Sequence, residues 1–231
     1  MNGVSTIRWG VLGGMGPLAS AEFLKTIYEI RPTQREQDLP VVFVISDPSF
    51  PDRTESFTNG TEGYLIKRLS ASLRALLALG AQKIVICCVT IHYLLPFLDS
   101  DLQDAVVSIP DVLLAAANQI EGRHLLMCTK GARESRLFEN HPLWNEASKH
   151  ICLPGRQDQE RIHGLIYQIK SGICDKDEVS SVLGLLYKYR AGTFLAGCTE
   201  LHILSKYMRQ RNLLEICIDP IEILARRITN G

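Results

Sequence analysis

Several features that mark other protein classes are missing from this sequence. The 231 residues contain 25 basic and 25 acidic side chains, so no net charge attracts nucleic acid or a membrane surface. No apolar run reaches the roughly 18 residues of a transmembrane helix, and no basic, hydrophobic signal segment is evident. We therefore expect a cytoplasmic protein with neither nucleic-acid nor membrane partners.

The cysteines lack the spacing of disulfide or metal sites. Their number is seven, which is odd, and no two form a Cys-x-x-Cys pair. A disulfide framework and a zinc site are therefore not expected, and a reducing cytoplasm is the simplest setting. Low-complexity stretches and long linkers are also missing from the sequence.

What the chain does contain is short apolar runs alternating with helical patterns. The 46% apolar composition supplies the core of one α/β domain or two small ones. Continuous apolar strands between helices predict parallel sheets covered on both faces. The predicted strands are Ile7–Leu12, Val41–Ser46 and Lys83–Cys88, all buried, then His124–Cys128, His150–Leu153 and Thr193–Ala196. The predicted helices are Leu18–Ile30, Gly63–Leu79, Gln157–Lys170, Asp175–Tyr189 and Asp219–Ile228.

The order of elements repeats, which predicts two similar parallel-sheet α/β halves related by pseudo-symmetry. We assign residues 1–98 and 209–231 to the first half and residues 99–208 to the second, with the join near Pro96–Pro110. Ligands of open parallel sheets bind beyond the carboxyl ends of the strands. The pattern therefore predicts an active site in the cleft between the halves.

Cys88 and Cys198, 110 residues apart, each lie where an apolar run ends. Their contexts are Lys83-Ile-Val-Ile-Cys-Cys88-Val-Thr90-Ile-His92 and Thr193-Phe-Leu-Ala-Gly197-Cys198-Thr199-Glu200. A thiol from each half can flank one bound carbon, removing a proton from one side and returning it from the other. A helix N-terminus at each turn is expected to lower the thiol pKa. We interpret the other cysteines as structural, namely Cys87, Cys128, Cys152, Cys174 and Cys217.

Other residues near these strand ends have two interpretations each. The loop Gly13-Gly14-Met15-Gly16-Pro17 suits an anion or a tight turn, and it departs from the dinucleotide-binding fingerprint. Arg53 follows the second strand in a proline-rich loop and either binds a carboxylate or is solvated. Thr90 and Thr199 either bind a carboxylate or cap helices.

Three further polar residues are also ambiguous. Lys170 ends a predicted helix, where a lysine interacts favourably with the dipole whether or not it binds a ligand. His92 and Glu200 either orient the thiols and tune their pKa values or have surface and capping roles.

With these motifs the sequence resembles the aspartate/glutamate racemase family over essentially its whole length. The most specific segments are Gly197-Cys198-Thr199-Glu200 and Ile218-Asp219-Pro220. The glycine loop, Pro51-Asp52-Arg53-Thr54 and Ile169-Lys170-Ser171-Gly172 add to the likeness. The resemblance implies a cofactor-independent homodimer whose halves close over a small acidic amino acid. One cysteine thiolate would abstract the α-proton, and the opposing thiol would reprotonate the other face.

The resemblance also implies roles for individual residues. Catalysis falls on Cys88 and Cys198. Substrate binding falls on Met15, Gly16, Arg53, Val89, Thr90, Ile91, Thr129, Lys170, Thr199 and Glu200.

Two positions depart from the family's pattern. Val89 stands where the family usually has asparagine, which would remove a hydrogen bond worth about 1–3 kcal/mol in a buried site. Ala132 stands where a second threonine is expected. The departures leave open a different amino acid, a relaxed racemase or an impaired one. Two alternatives are a dicarboxylate isomerase or decarboxylase that uses one cysteine, and a non-catalytic ligand-binding protein.

Overall fold

The computed structural model describes residues 7–33, 35–213 and 216–230. The strands are β1 (Trp9–Gly13), β2 (Val42–Ser46), β3 (Lys83–Ile86), β4 (His124–Cys128), β5 (Ile151–Cys152), β6 (Thr193–Gly197) and β7 (Cys217–Ile218). They form two sheets with the orders β2-β1-β3 and β5-β4-β6-β7. All of these pairings are parallel. The predicted class, two similar parallel-sheet α/β halves, is confirmed.

Helices connect and cover the strands. They are α1 (Pro17–Ile30), α2 (Arg53–Thr58), α3 (Glu62–Ala78), α4 (Ser100–Ala105), α5 (Ile109–Gln119), α6 (Lys130–Glu134), α7 (Trp144–Ala147), α8 (Arg156–Lys170), α9 (Lys176–Tyr189), α10 (Leu201–Gln210) and α11 (Pro220–Asn230). Glu36–Asp38 and Thr90–Phe97 form 3₁₀ helices. None of the helices in the described ranges has the length and apolarity needed to cross a bilayer.

Two local predictions are wrong. The strand at Val41–Ser46 is not fully buried, because β2 lies at a sheet edge and Val44 keeps 40% of its surface exposed. Arg53 is not in a loop but opens α2. The cause is Asp52, whose Oδ1 accepts hydrogen bonds from the backbone N–H groups of Thr54 and Glu55 and so caps this helix.

The alternation of side chains along the strands builds the core. Val11 and Val85 of the first sheet and Leu126 and Leu195 of the second belong to one shared apolar cluster with α1, α5 and α11. Their neighbours along each strand point to the opposite face, as in any β-strand. These neighbours pack in separate clusters, one for each sheet. Each sheet therefore has one face toward its partner half and one toward its own helices.

The segments near the two ends of the second half connect to both sheets. Val106 forms a parallel bridge with Ile84 of β3, so the chain leaves the first sheet only after this point. Near the C-terminus β7 pairs with β6 of the second sheet, whereas α11 packs against α1. The division at 98/99 and 208/209 stays a prediction.

Candidate active site

The carboxyl ends of four strands, two from each sheet, converge on one small cavity. Met15 follows β1, Cys88 follows β3, Thr129 follows β4 and Cys198 follows β6. The full lining is Met15, Asp52, Arg53, Thr54, Cys88, Thr90, Thr129, Ile166, Tyr167, Lys170, Cys198 and Glu200. Only about 10 Å³ is open to water centres, enough for about one water molecule. The cavity is therefore closed, and a ligand larger than a water molecule enters only if the cleft opens.

Cys88 is presented to the cavity by a tight turn. Its N–H donates to the carbonyl of Ile86 at 2.7 Å, just beyond the end of β3. The adjacent Cys87 packs in the cluster shared by the two halves, whereas Cys88 packs in the cluster of the first sheet and lines the cavity. Only the second of the two adjacent thiols is therefore placed for chemistry.

A buried histidine supports this turn. His92 Nδ1 lies 2.8 Å from the carbonyl oxygen of Cys88, and its Nε2 accepts a hydrogen bond from the N–H of Ile109. A backbone N–H only donates, so Nε2 carries no proton and Nδ1–H is the donor to Cys88. Burial lowers the pKa of His92 to about 4. The ring is therefore neutral at physiological pH.

Arg53 supplies positive charge beside Cys88. Its guanidinium donates to the carbonyls of Met15 at 2.8 Å and Pro51 at 2.9 Å, which fix it at the cavity. Burial opposes its charge, but the sulfur of Cys88 and the carboxylates of Asp52 and Glu200 raise the pKa of Arg53 above its usual value. Within the described residues its Nε–H has no hydrogen-bond partner. The Nε–H of a fixed cation is thus left for a ligand.

Cys198 lies among negative charges instead. Its thiol donates to Oε2 of Glu200 at 2.9 Å, and both side chains are buried. Burial raises the pKa of Cys198 well above its usual value, and the charge of Glu200 raises it further. The predicted lowering of the thiol pKa by a helix N-terminus is therefore wrong for Cys198. This sulfur is held as a neutral thiol.

Gly16 makes room for the Glu200 carboxylate. A Cβ atom at Gly16 would lie 2.2 Å from Oε1 of Glu200, closer than two atoms can approach. In the part of the chain that the structure describes, this oxygen is buried and has no hydrogen-bond partner. Buried carboxylate oxygens normally accept hydrogen bonds. Glu200 is therefore available to a donor on a ligand.

The opposite wall is built around Asp52. While its Oδ1 caps α2, its Oδ2 accepts a hydrogen bond from Tyr167 at 2.6 Å and lies 3.5 Å from Nζ of Lys170. Although burial alone would raise it, the pKa of Asp52 is lowered by these partners. Lys170 also stacks over the Tyr167 ring at 4.6 Å. Asp52 thereby links α2 of the first half to α8 of the second.

Hydroxyl groups join the halves at the base of the cavity. Thr90 and Thr129 lie in opposite halves, and their Oγ1 atoms are 2.8 Å apart. Thr199 Oγ1 lies 3.4 Å from the carbonyl of Cys87 and 3.2 Å from Oε2 of Glu200. The closed cleft is therefore stabilised by polar contacts that a substrate can replace.

Some residues of the predicted set stand outside the lining. Gly16 contacts the carboxylate of Glu200 but does not line the cavity, and Thr199 does not line the cavity either. The side chains of Val89 and Ile91 are buried in apolar clusters. Ala132 belongs to the same cluster as Val89.

Sequence reasoning missed the lining residues Asp52, Thr54, Ile166 and Tyr167. Two of them had a usable signal: Ile166 and Tyr167 precede Lys170 by four and three residues, the spacing of one helix face. The described ranges contain no group of three or more His, Cys, Asp or Glu side chains placed to bind a metal ion, at the cavity or elsewhere.

Comparisons with known proteins show the family and the fold of the chain. A family model described as Asp/Glu/Hydantoin racemase matches residues 12–228. The aspartate racemase of Picrophilus torridus has a similar structure, with a TM-score of 0.77 and 19% identity over 96% of this chain and 92% of that one. An aspartate racemase homologue from Pyrococcus horikoshii has a TM-score of 0.71 and 22% identity over 96% of both chains. Glutamate racemase from Francisella tularensis, in complex with D-glutamate, has a TM-score of 0.64 and 16% identity, covering 96% of this chain and 79% of that one. At these identities the structures establish a shared fold.

Proposed function

Because this chain belongs to the Asp/Glu/hydantoin racemase family, we propose that it racemises a small acidic amino acid without a cofactor. One of Cys88 and Cys198 removes the α-proton, and the other donates its own proton to the opposite face of the α-carbon. The observation that carries the proposal is that both sulfurs line one buried cavity together with two cations, Arg53 and Lys170. By its resemblance, and because two-fold dimers are common, we further propose a cytoplasmic homodimer.

The surroundings of the sulfurs support different roles for the two, one as base and one as acid. The guanidinium of Arg53 lies beside Cys88, which supports Cys88 as the base. Cys198 begins as the thiol and is the acid. Cys88 takes the α-proton, and Cys198 gives its proton to the opposite face of the same carbon. The product is the mirror-image amino acid, with Cys88 as thiol and Cys198 as thiolate.

The negative charge that develops between these two transfers needs fixed donors. Removing an α-proton leaves charge on the carboxylate, where positioned donors are worth most in a dry site. Arg53, whose Nε–H has no hydrogen-bond partner among the described residues, and Lys170 are two cations that could bind the substrate carboxylates. Oε1 of Glu200 is an acceptor available to the ammonium group. Each charged group of the substrate then lies near a group of opposite charge in the site.

The non-catalytic alternative rests on Val89, and its surroundings weaken that argument. Val89 and Ala132 are both fully buried in one apolar cluster. Neither lines the cavity, so the replaced polar groups leave no gap among the residues that would contact a substrate. The paired sulfurs likewise favour two-base chemistry over a one-cysteine isomerase or decarboxylase.

The test is exchange of α-hydrogen with solvent. The protein is incubated in D2O with single enantiomers of aspartate and glutamate, and with allantoin and a 5-substituted hydantoin, while deuterium at the α-carbon and optical rotation are followed. We expect exchange with racemisation of an acidic amino acid, and none in a Cys88→Ala/Cys198→Ala double variant. Exchange only with the cyclic ureides would overturn the acidic substrate, and saturable binding without any exchange would overturn catalysis.

A further inference from the structure

A polar seam joins α1 of the first half to α10 of the second, away from the cavity. At its centre is His202, which is fully buried. Its Nδ1 lies 2.7 Å from Oδ2 of Asp219, and its Nε2 lies 2.8 Å from Oγ1 of Thr26. One turn later on α10, Lys206 lies 3.1 Å from the same threonine oxygen. The seam therefore links three helices, because Asp219 precedes α11.

The hydrogen bonds of the seam form a complete chain. Asp219 only accepts: its Oδ1 receives the N–H groups of Ile221 and Glu222, and its Oδ2 receives Nδ1–H of His202. Thr26 Oγ1 accepts from Lys206, so its own proton is free to donate to Nε2 of the histidine. Both ring nitrogens are thus used, and removing the ring would leave buried polar groups without partners.

Lys206 extends the seam to the surface. Its Nζ lies 2.5 Å from Glu22 and 2.6 Å from Glu29, one on each side of Thr26 along α1. His202 and Lys206 are four residues apart and lie on the same face of α10. The two helices therefore contact each other through a row of paired polar side chains that runs from the buried ring to the surface.

The two helices that this seam ties together both begin at the cavity. α10 starts directly after Cys198, Thr199 and Glu200, and α1 starts directly after Gly16. At these ends Glu200 packs against the Cα of Gly16. His202 lies one helical turn from Cys198, so a shift of α10 along α1 would move the thiol and its carboxylate partner together. Close packing transmits such a shift with little loss.

We propose that His202 is a positioning residue: by anchoring α10 to α1 and to the start of α11, it holds Cys198 and Glu200 against the cavity. It touches neither the substrate nor the sulfur. Its kinetic consequence rests on the two-thiol mechanism proposed above, whereas its structural consequence, a fixed position of Cys198, does not.

Racemisation rates alone cannot test this, because a racemase has an equilibrium constant of one and its kcat/KM is equal in both directions. Elimination of a leaving group from the β-carbon distinguishes the two cysteine bases. A β-chloro derivative of the amino acid loses its α-proton to one cysteine and chloride from the β-carbon, giving an enamine that hydrolyses to a keto acid and ammonia. Each enantiomer then reports one sulfur, and the Cys88→Ala and Cys198→Ala variants identify which.

We expect His202→Leu to slow the elimination that Cys198 performs by about 10- to 100-fold, the effect of displacing a reacting group by about 1 Å. The elimination performed by Cys88 should change little, and His202→Gln should recover part of the loss. His124→Leu is the matched control. His124 is also buried and bonded through both ring nitrogens, to Thr193 and to the carbonyl of Ile120, but it lies at the opposite end of β4. Equal slowing of both eliminations, or the same pattern in His124→Leu, would overturn the proposal.

A second measurement does not depend on catalysis. Iodoacetamide labelling of each cysteine is followed by mass spectrometry in the wild type, His202→Leu and His124→Leu. We expect labelling of Cys198 to accelerate several-fold over that of Cys88 in His202→Leu alone. Unchanged relative labelling would contradict the positioning role. If the wild type eliminates nothing but Cys198 labelling accelerates as expected, the racemase proposal fails while the anchoring role stands.

Discussion

Cys88 and Cys198 follow equivalent strands of the two sheets, β3 and β6, yet their surroundings carry opposite charge. Cys88 lies beside a guanidinium, and Cys198 donates its proton to a carboxylate. Two thiols of the same chemistry thus lie in surroundings of opposite charge, which is the asymmetry that the proposed two-base mechanism needs. The comparison teaches that equivalent strand ends supply the positions of the two thiols, while the neighbouring side chains supply the difference in charge.

The support behind each turn differs in a related way. A buried histidine follows each cysteine by four residues. His92 bonds to the carbonyl of Cys88 itself and to the start of α5. His202 bonds instead to α1 and to Asp219, which link it to other helices. The first turn is therefore fixed by bonds to its own backbone and to α5, and the second by bonds to α1 and to the residue that precedes α11.

Removing either sulfur gives the largest expected effect. Cys88→Ala and Cys198→Ala should each reduce racemisation by about 10²- to 10⁴-fold, the usual contribution of a positioned acid or base. Elimination from β-chloro enantiomers should split: each variant should retain activity toward one enantiomer only. The measurement is keto acid release from each enantiomer separately. Survival of racemisation in one variant would support the one-cysteine isomerase instead.

The acid stability of the first turn is the next largest effect. Burial lowers the pKa of His92 to about 4, against about 6.5 in an unfolded chain. The unfolded state therefore binds a proton first as the pH falls. The histidine contributes stability that is fully present above about pH 6.5 and is lost as the pH falls toward 4. The loss amounts to about 3 kcal/mol.

Urea unfolding at a series of pH values measures this effect, with His92→Gln as the comparison. The variant should lose less free energy of unfolding between pH 7 and pH 4 than the wild type. Parallel curves for the two proteins would mean that the ring is not held neutral by the fold. Carboxylate titrations are common to both proteins and cancel in the difference.

The family and the secondary structure could be predicted from the sequence, whereas the different surroundings of the two cysteines could not. The racemase family and its isomerase class are confirmed by the match over residues 12–228. The strands and helices predicted from periodicity lie within two residues of those observed, because each is specified by its own local pattern. The same local patterns were sufficient to place both cysteines at the ends of strands.

The electrostatics of the site needed tertiary contacts. Whether a helix N-terminus or a carboxylate dominates at Cys198 depends on the rotamer of Glu200, which is set by the space that Gly16 leaves. The role of Asp52 likewise depends on Tyr167, 115 residues away along the chain. A sequence pattern carries no information about which of several nearby charges a buried sulfur meets.

Neutralising Glu200 should make the two sulfurs more alike. The charge of Glu200 helps to raise the pKa of Cys198, so Glu200→Gln should lower that pKa while keeping a hydrogen-bond acceptor of the same shape. Cys198 must carry a proton when it acts as the acid. The alkaline fall in kcat should therefore begin at lower pH in the variant. A profile unchanged or moved to higher pH would show that another group controls this limb.

The smallest expected effect comes from filling the gap beside Glu200. Gly16 has an extended backbone with φ −129°, which alanine adopts without strain, so Gly16→Ala acts through its methyl group alone. That methyl would displace the carboxylate end of Glu200, a flexible group, at a stability loss of about 1 kcal/mol. With the carboxylate moved from Cys198, the alkaline limb should move in the same direction as in Glu200→Gln.

Gly164→Ala is the control, since nothing lies within 4 Å of its added Cβ on α8. It should gain about 0.5–1 kcal/mol of stability and leave the pH profile unchanged. If Gly16→Ala also leaves the profile unchanged while Glu200→Gln moves it, the contact with Gly16 does not hold the carboxylate at the sulfur.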